Sequence, residues 1–161
     1  MLKNSETYKL TEELGRDIVA ESRKILADRD INATGKLSKS IKYDMEVDGV
    51  SWSMEQYGVW RDAGQLGSKR RILKRWNDSI FIRSKGFTNK RPPIRPIAKW
   101  MEVKGVKGSP FAITRKIFMF GIQPGLFFSD AFNKLTPEYF NKMDRAISDD
   151  LDKTLDNDSK P

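Results

Sequence analysis

The segment "IKYDMEVDGVSWSM", residues 41–54, consists of two short runs in which apolar and polar residues alternate. Asp48-Gly49 separates the two runs. This dipeptide favours the type I′ turn of a β-hairpin, because both central residues of that turn need positive φ. The alternation on either side of it predicts an antiparallel hairpin over about residues 41–56, and this hairpin would be the basis of a small sheet.

An amphipathic helix is predicted before the hairpin, from about Ser5 to Asp30. Apolar or small residues recur there at helical spacing and charged residues fill the other positions, so the helix has one face to bury. This pattern is typical of a helix that covers a sheet. The buried stripe is expected to contain Leu10, Leu14, Ile18, Val19, Ser22, Ile25 and Leu26.

Proline and glycine signals predict three helices in the C-terminal half of the chain. They begin near Ile94, Ser109-Pro110 and Thr136-Pro137, and the first two end at Gly105 and Gly121. With the hairpin and the N-terminal helix, these elements define an α+β fold class. It comprises a small antiparallel sheet packed by an N-terminal helix and several C-terminal helices.

The length of 161 residues suits one domain, which we assign to residues 1–161. The last residues, 156–161, are predicted to fray. No apolar run approaches the roughly 20 residues of a membrane helix, and the N-terminus is charged. The sequence therefore predicts a soluble protein that is made in a cytoplasm and has no contact with a membrane.

The chain contains no cysteine and no histidine, which removes the usual nucleophile, general base and zinc ligands. Two pairs of adjacent carboxylates, Glu12-Glu13 and Asp149-Asp150, fall on helix faces expected to be exposed, where solvated surface is the simpler interpretation. Gly64-Gln65-Leu66-Gly67 lacks the sequence context of a phosphate-binding loop. We therefore expect no enzyme activity, no cofactor and no metal, and a nuclease is the least favoured class.

Charge is distributed unevenly along the chain. Residues 1–67 carry 10 basic and 12 acidic side chains, residues 68–135 carry 16 and 3, and residues 136–161 carry 4 and 7. The three segments therefore have net charges of −2, +13 and −3, which sum to the net charge of +8. A basic surface is expected on the middle segment.

The stretch "QYGVWRDAGQLGSKRR", residues 56–71, is predicted to be a shaped loop because it is too rich in glycine for a helix interior. It leads into residues 68–91, here called the basic arm, an inserted loop or arm in which the apolar residues of segment 79–82 suggest a short strand. Three roles remain open for this segment: binding nucleic acid with Trp76 or Phe81 stacking on bases, docking on an acidic protein, or simple solvation.

Four segments in this order resemble the head–tail connector family of tailed bacteriophages, also called tail-completion, neck or minor tail proteins. They are "ATGKLSKSIKYDMEV", "EQYGVWRDAG", "PPIRPIAKWMEVKGV" and "FAITRKIFMFGIQPGLFFSDAF", and together they extend over roughly residues 5–135. The matching positions are Thr34, Gly35, Leu37, Ser40 and Ile41; Tyr57, Trp60, Asp62 and Gly64; Trp100, Lys104 and Gly105; and Ile117, Gly121, Phe128 and Ala131.

The resemblance implies a virion structural protein that forms or completes the ring at the phage neck. Such a ring joins the portal and head to the tail and lets DNA pass. The implied partners are further copies in a cyclic ring, portal or adaptor proteins, tail tube or tail-terminator proteins, and genomic DNA through non-specific contact. The implied location is the virion neck or tail, after assembly in the cytoplasm of a bacterial host.

Nine residues are expected to form the interface with a neighbouring subunit or with DNA. Tyr57 and Trp60 would seat the predicted loop against the sheet or a neighbour, and the cations would face an acidic subunit or the DNA channel. The alternative function is a small basic nucleic-acid-binding protein that acts in the cytoplasm. The nine residues are Tyr57, Trp60, Asp62, Gly64, Lys69, Arg70, Arg71, Lys74 and Arg75.

Overall fold

A computed structural model describes residues 5–31, 34–69, 78–81 and 90–158 of the chain. Within them lie six helices and four short strands. The helices are α1 (Glu6–Asp28), α2 (Lys36–Ser40), α3 (Gln56–Ala63), α4 (Ile94–Lys104), α5 (Pro110–Phe120) and α6 (Phe127–Asp158). The strands are β1 (Lys42–Glu46), β2 (Gly49–Ser53), β3 (Gln65–Leu66) and β4 (Gly121–Ile122). The predicted α+β class is confirmed.

The predicted hairpin is confirmed, with β1 and β2 antiparallel and Glu46 paired with Gly49 at the turn. The hairpin packs against the middle of α1 at Gly15. The indole Nε1 of Trp52 donates a hydrogen bond to the Gly15 carbonyl at 3.2 Å. A Cβ atom at Gly15 would lie 2.7 Å from the Tyr43 ring, so the absence of a side chain allows the close approach.

The long helices α1 and α6 run antiparallel, and polar pairs along their length show the register. Near the C-terminus of α1, Arg29 forms an ion pair with Asp130 at 2.5 Å. Near its N-terminus, the carboxylate of Asp150 accepts hydrogen bonds from the backbone N–H of Glu6 at 3.2 Å and of Thr7 at 3.0 Å. Asp150 thereby caps α1, a role that its expected position on an exposed face did not predict.

The hydrophobic core lies between α1, α2, the hairpin and the N-terminal half of α6. Apolar spacing on α1 predicted its contribution, although Leu10 and Ile25 are only partly buried. Trp52 makes edge-on ring contacts with Phe128 and Phe132, with centroids 6.1 and 5.9 Å apart. The buried members are Leu14, Ile18, Val19, Leu26, Leu37, Ile41, Phe127, Phe128 and Tyr139.

Three local predictions were wrong. Residues 56–63 form helix α3 rather than a loop, because Gly58 allows close packing: a Cβ there would lie 2.6 Å from Leu37. Thr136-Pro137 does not start a helix but lies inside α6, which packs on α1 on both sides of the proline. Thr136 donates its hydroxyl to the Phe132 carbonyl at 2.6 Å. The described part of the segment 79–82, read as a short strand, is irregular.

The helices α4 and α5 pack against each other beside the core and have the predicted limits. The short pair β3–β4 attaches α5 to the end of α3, with Gln65 opposite Ile122 and Leu66 opposite Gly121. Positive φ angles of 64° at Gly105 and 82° at Gly121 end the two helices, as the sequence predicted.

Candidate interaction surface

Asp62, at the C-terminal end of α3, is fully buried and caps the N-terminus of α6. Its carboxylate accepts hydrogen bonds from the backbone N–H of Phe128 at 2.7 Å and of Ser129 at 3.2 Å, and from the Ser129 hydroxyl. These amide groups have no partner within α6 itself, since the first N–H groups of any helix lack one. Asp62 therefore joins α3 to α6 across 66 residues of sequence.

Burial raises the pKa of Asp62 above its ordinary value, and the hydrogen bonds from Ser129 and Phe128 oppose that rise by favouring the carboxylate. No basic side chain forms an ion pair with Asp62 within the part of the chain that the structure describes. The positive end of the α6 dipole and the hydroxyl donors replace such a partner.

The hydrogen-bonded residues Asp62 and Ser129 also bind the middle of the basic arm. The Ser79 hydroxyl donates to Asp62 at 3.4 Å, and the backbone N–H of Ile80 donates to the Ser129 hydroxyl at 3.0 Å. The Phe81 ring packs against Phe128 with centroids 5.7 Å apart. Phe81 is therefore part of the core surroundings, and the prediction that it stacks on nucleic-acid bases does not fit its position.

Both described ends of the basic arm contact α5. The Lys69 ammonium lies over the Phe120 ring, 5.7 Å from its centroid, and the Arg91 guanidinium lies 5.5 Å from the centroid of Phe111. Ser68 also donates its backbone N–H to the Phe118 carbonyl at 2.8 Å. The arm is thus anchored at its two ends on α5 and in the middle on α6.

Gly64 lies at a close crossing of the backbone. Its φ of 73° is unfavourable for residues with a side chain, and a Cβ there would lie 2.7 Å from the Pro124 nitrogen. Gly64 and Asp62 are both buried within this chain. Both residues therefore support α3 from within the chain and are not part of its exposed surface.

Tyr57 and Trp60 project from the outer face of α3, and their exposed fractions are 45% and 51%. The opposite face is fixed by Gly58, Asp62 and Ala63, which are buried. The aromatic pair is therefore exposed on a helix of fixed position. About half of each aromatic side chain is therefore accessible to a neighbouring molecule.

An apolar groove of about 440 Å³ lies between α4, α5 and the C-terminal end of α1. Arg61 lines it and donates to the Gln123 carbonyl at 2.6 Å. Asp30, the acidic residue at its edge, forms an ion pair with Lys104 at 2.5 Å. We call this cavity the α4–α5 groove. Its apolar lining is formed by Ile31, Pro96, Ile97, Trp100, Ile113, Ile117 and Ile122.

Four of the nine predicted interface residues, Arg70, Arg71, Lys74 and Arg75, lie outside the described residues, as does Trp76. Of the described five, Tyr57, Trp60 and Lys69 are exposed. No local signal revealed the groove, because its lining comes from three separated parts of the chain.

Within the described ranges, no group of three or more acidic residues is arranged to hold a metal ion. No described helix combines the length and apolar character that a membrane span requires. No protein-family model, curated protein or solved structure matches the chain.

Proposed function

We propose that this chain is a structural subunit of the neck of a tailed bacteriophage. It forms or completes the ring that joins the portal and head to the tail and lets DNA pass. The observation that carries the proposal is the exposure of Tyr57 and Trp60. Both are about half-exposed on α3, and Asp62 on the buried side of α3 binds the N-terminus of α6. Both residues belong to the segment that resembles the connector family.

Exposed aromatic side chains on a rigid support are typical of protein interfaces, because they bury much area and lose little conformational freedom. The buried contacts of Gly58 and Asp62 restrict α3 before any partner binds. Binding therefore needs little ordering of α3, which favours a stable assembly contact over a transient one.

The charge distribution supports assembly of identical subunits side by side. Residues 68–135 have a net charge of +13, whereas residues 136–161 have a net charge of −3. A ring with heterologous contacts places different surfaces of adjacent copies against each other. Oppositely charged surfaces of the same chain can therefore meet around such a ring.

The test is the double variant Tyr57→Ser/Trp60→Ser, with Val47→Ser as control because Val47 is 78% exposed at the hairpin tip. Native mass spectrometry and negative-stain electron microscopy of the purified chain, alone and with portal and tail-terminator proteins, measure ring formation. We expect the double variant to stay folded and lose ring formation, and the control to assemble. Rings from the double variant would contradict the role of α3.

In the encoding virus, the same double variant should yield filled heads and separate tails that fail to join. Cryo-electron microscopy of wild-type particles should place the chain at the neck. Its absence from the virion, or normal tailed particles without it, would contradict the proposed function.

A nucleic-acid-binding protein that acts in the cytoplasm remains the second candidate, and the observation that favours it is the density of positive charge in residues 68–135.

Deleting the whole basic arm would not test this candidate cleanly, since Ser79 and Phe81 support the fold. A sharper variant replaces the four cations of residues 70–75 with glutamine and keeps residues 78–81. The DNA affinity of the monomer, measured as a function of salt concentration, should then be weak for both the wild type and the variant. Micromolar binding with a steep salt slope, lost in the variant, would favour the second candidate.

A further inference from the structure

The second half of α6 carries an exposed apolar stripe that the fold of one chain leaves uncovered. The side chains of Phe140, Ile147 and Leu151 have exposed fractions of 57%, 46% and 59%. Their spacing of seven and then four residues places them on one side of the helix. We call these three residues the α6 stripe.

The α6 stripe lies next to the face of α6 that packs on α1. Tyr139 and Ala146 are buried on that face, and each precedes a stripe residue by one position, or about 100° around the helix. Tyr139 donates its hydroxyl to Asp17 at 2.5 Å, which fixes the rotation of α6. The outward direction of the stripe is therefore set by packing against α1.

The α6 stripe and the α4–α5 groove lie toward opposite ends of the α1–α6 pair. The groove includes Asp30 and Ile31, just after α1 ends, whereas Asp150 caps the start of α1. The 23 residues of α1 correspond to a length of about 35 Å. Tyr139, next to Phe140, contacts Asp17, which is roughly 20 Å of helix from Asp30, so even the nearer end of the stripe does not reach the groove of its own chain.

The two surfaces have complementary charge. Asp144, four residues after Phe140 and three before Ile147, is exposed on the stripe side of α6, and it has no ion-pair partner within the described part of the chain. Lys99 and Lys116 are exposed one position before the groove residues Trp100 and Ile117, and no described carboxylate pairs with either lysine.

We propose that the α6 stripe of one copy of this chain binds in the α4–α5 groove of the next copy. Apolar side chains fill the apolar groove, and Asp144 beside the stripe lies against the lysines Lys99 and Lys116 at its edge. The contact joins two different surfaces, so it is heterologous and propagates into a ring or an open chain of subunits. This inference rests on the proposed function in so far as that function requires a ring.

The absence of cysteine from the chain allows a direct test by disulfide trapping. Leu151→Cys and Ile97→Cys introduce one thiol in the stripe and one in the groove. Under mild oxidation, a chain with both substitutions should give a ladder of dimers, trimers and larger species on a non-reducing gel. A mixture of the two single variants should give dimers only, because each chain then has one thiol.

The matched control combines Val47→Cys with Ile97→Cys and should give no ladder, since Val47 is exposed on the hairpin and belongs to neither the stripe nor the groove. No ladder from the stripe–groove variant would overturn the inference. Dimers formed by Leu151→Cys alone would also overturn it, since they would show that two stripes pair with each other. A small molecule that copurifies in the groove, detected as added mass in native spectra, would do the same.

Charge reversal provides a second test. Asp144→Lys in one variant and Lys99→Glu/Lys116→Glu in another should each raise the concentration needed for assembly by at least about tenfold. Mixing the two variants should restore assembly, because each altered surface then meets its new complement. Asp44→Lys/Glu46→Lys on β1 is the control and should assemble as the wild type does. Failure of the mixture to assemble would overturn the inference.

These results separate the inference from the proposed function. Rings that form without a stripe–groove crosslink would leave the neck function standing and overturn this contact. A crosslinked ladder from a chain that is absent from the virion neck would support the contact and contradict the function. If the wild-type chain remains monomeric and the Leu151→Cys/Ile97→Cys variant gives no ladder, both are overturned.

Discussion

The α1–α6 framework and the α4–α5 pair use apolar residues in opposite ways. Eight residues of α1 are buried, whereas α4 and α5 bury one each, Met101 and Thr114. Yet α5 has the sequence PFAITRKIFMF, which is apolar around most of its circumference. A helix with that composition is normally covered on most sides. The comparison indicates that contacts between α1 and the N-terminal half of α6 form most of the monomer core, whereas the α4–α5 pair leaves apolar surface exposed, as does the α6 stripe.

The largest expected difference is between two phenylalanines, one in each region. Phe127→Ala should lower the free energy of unfolding by about 4 kcal/mol, because Phe127 is fully buried and its removal leaves a cavity. Phe111→Ala should cost less than about 1 kcal/mol, since Phe111 is half-exposed and loses chiefly its contact with Arg91. Urea denaturation measures both. Equal losses would show that the α4–α5 pair contributes to the monomer core.

The glycines that end α4 and α5 provide the next comparison. Gly121→Ala should cost about 3 kcal/mol, because a Cβ there combines positive φ with collision against the β3 backbone. Gly105→Ala should cost only about 1 kcal/mol, since its φ is also positive but nothing lies within 4 Å of the Cβ position. Thermal unfolding of the two variants gives the difference. Similar losses would mean that the β3–β4 crossing relaxes easily.

Asp62 joins the framework to α3, so its removal tests how firmly the aromatic pair is held. Asp62→Ala should destabilise the chain by about 2 kcal/mol, because the amides of Phe128 and Ser129 lose their acceptor in a buried site. Asp44→Ala on the exposed face of β1 is the control and should change little. Chemical denaturation decides the result, and a neutral Asp62→Ala would contradict the capping role.

The smallest effect concerns pH. Burial raises the pKa of Asp62 above 3.8, so the folded chain binds this proton at higher pH than the unfolded chain does. The stability of the wild type relative to Asp62→Asn should therefore fall as pH rises from about 4 to the folded pKa, and stay constant above it. Parallel denaturation series across pH measure this difference. A relative stability that increases with pH would show that the hydrogen bonds outweigh burial.

Interactions close in sequence explain which predictions succeeded. Asp48-Gly49 specified the hairpin because the turn and its flanking strands are neighbours along the chain. Pro110, Gly105 and Gly121 marked helix limits through their own φ preferences. The spacing on α1 predicted its buried face because one stripe of a helix must face the core.

Contacts distant in sequence explain the failures. The glycine in "QYGVWRDAG" argued against a helix, but in the fold that glycine is what lets α3 pack closely on Leu37. Pro137 suggested a helix start, yet packing against α1 maintains α6 across it. In both cases tertiary packing outweighed a local preference of a few kcal/mol at most.

The sequence by itself determined the α+β class, the hairpin, most helix limits and the concentration of positive charge in residues 68–135, because each depends on local pattern or composition. Only the tertiary structure decided that Asp62 is a buried cap, while Tyr57 and Trp60 face outward. It also decided that the α6 stripe and the α4–α5 groove lie toward opposite ends of the fold. Such relations depend on which distant segments pack together, and the free energy of that packing is a property of the whole chain.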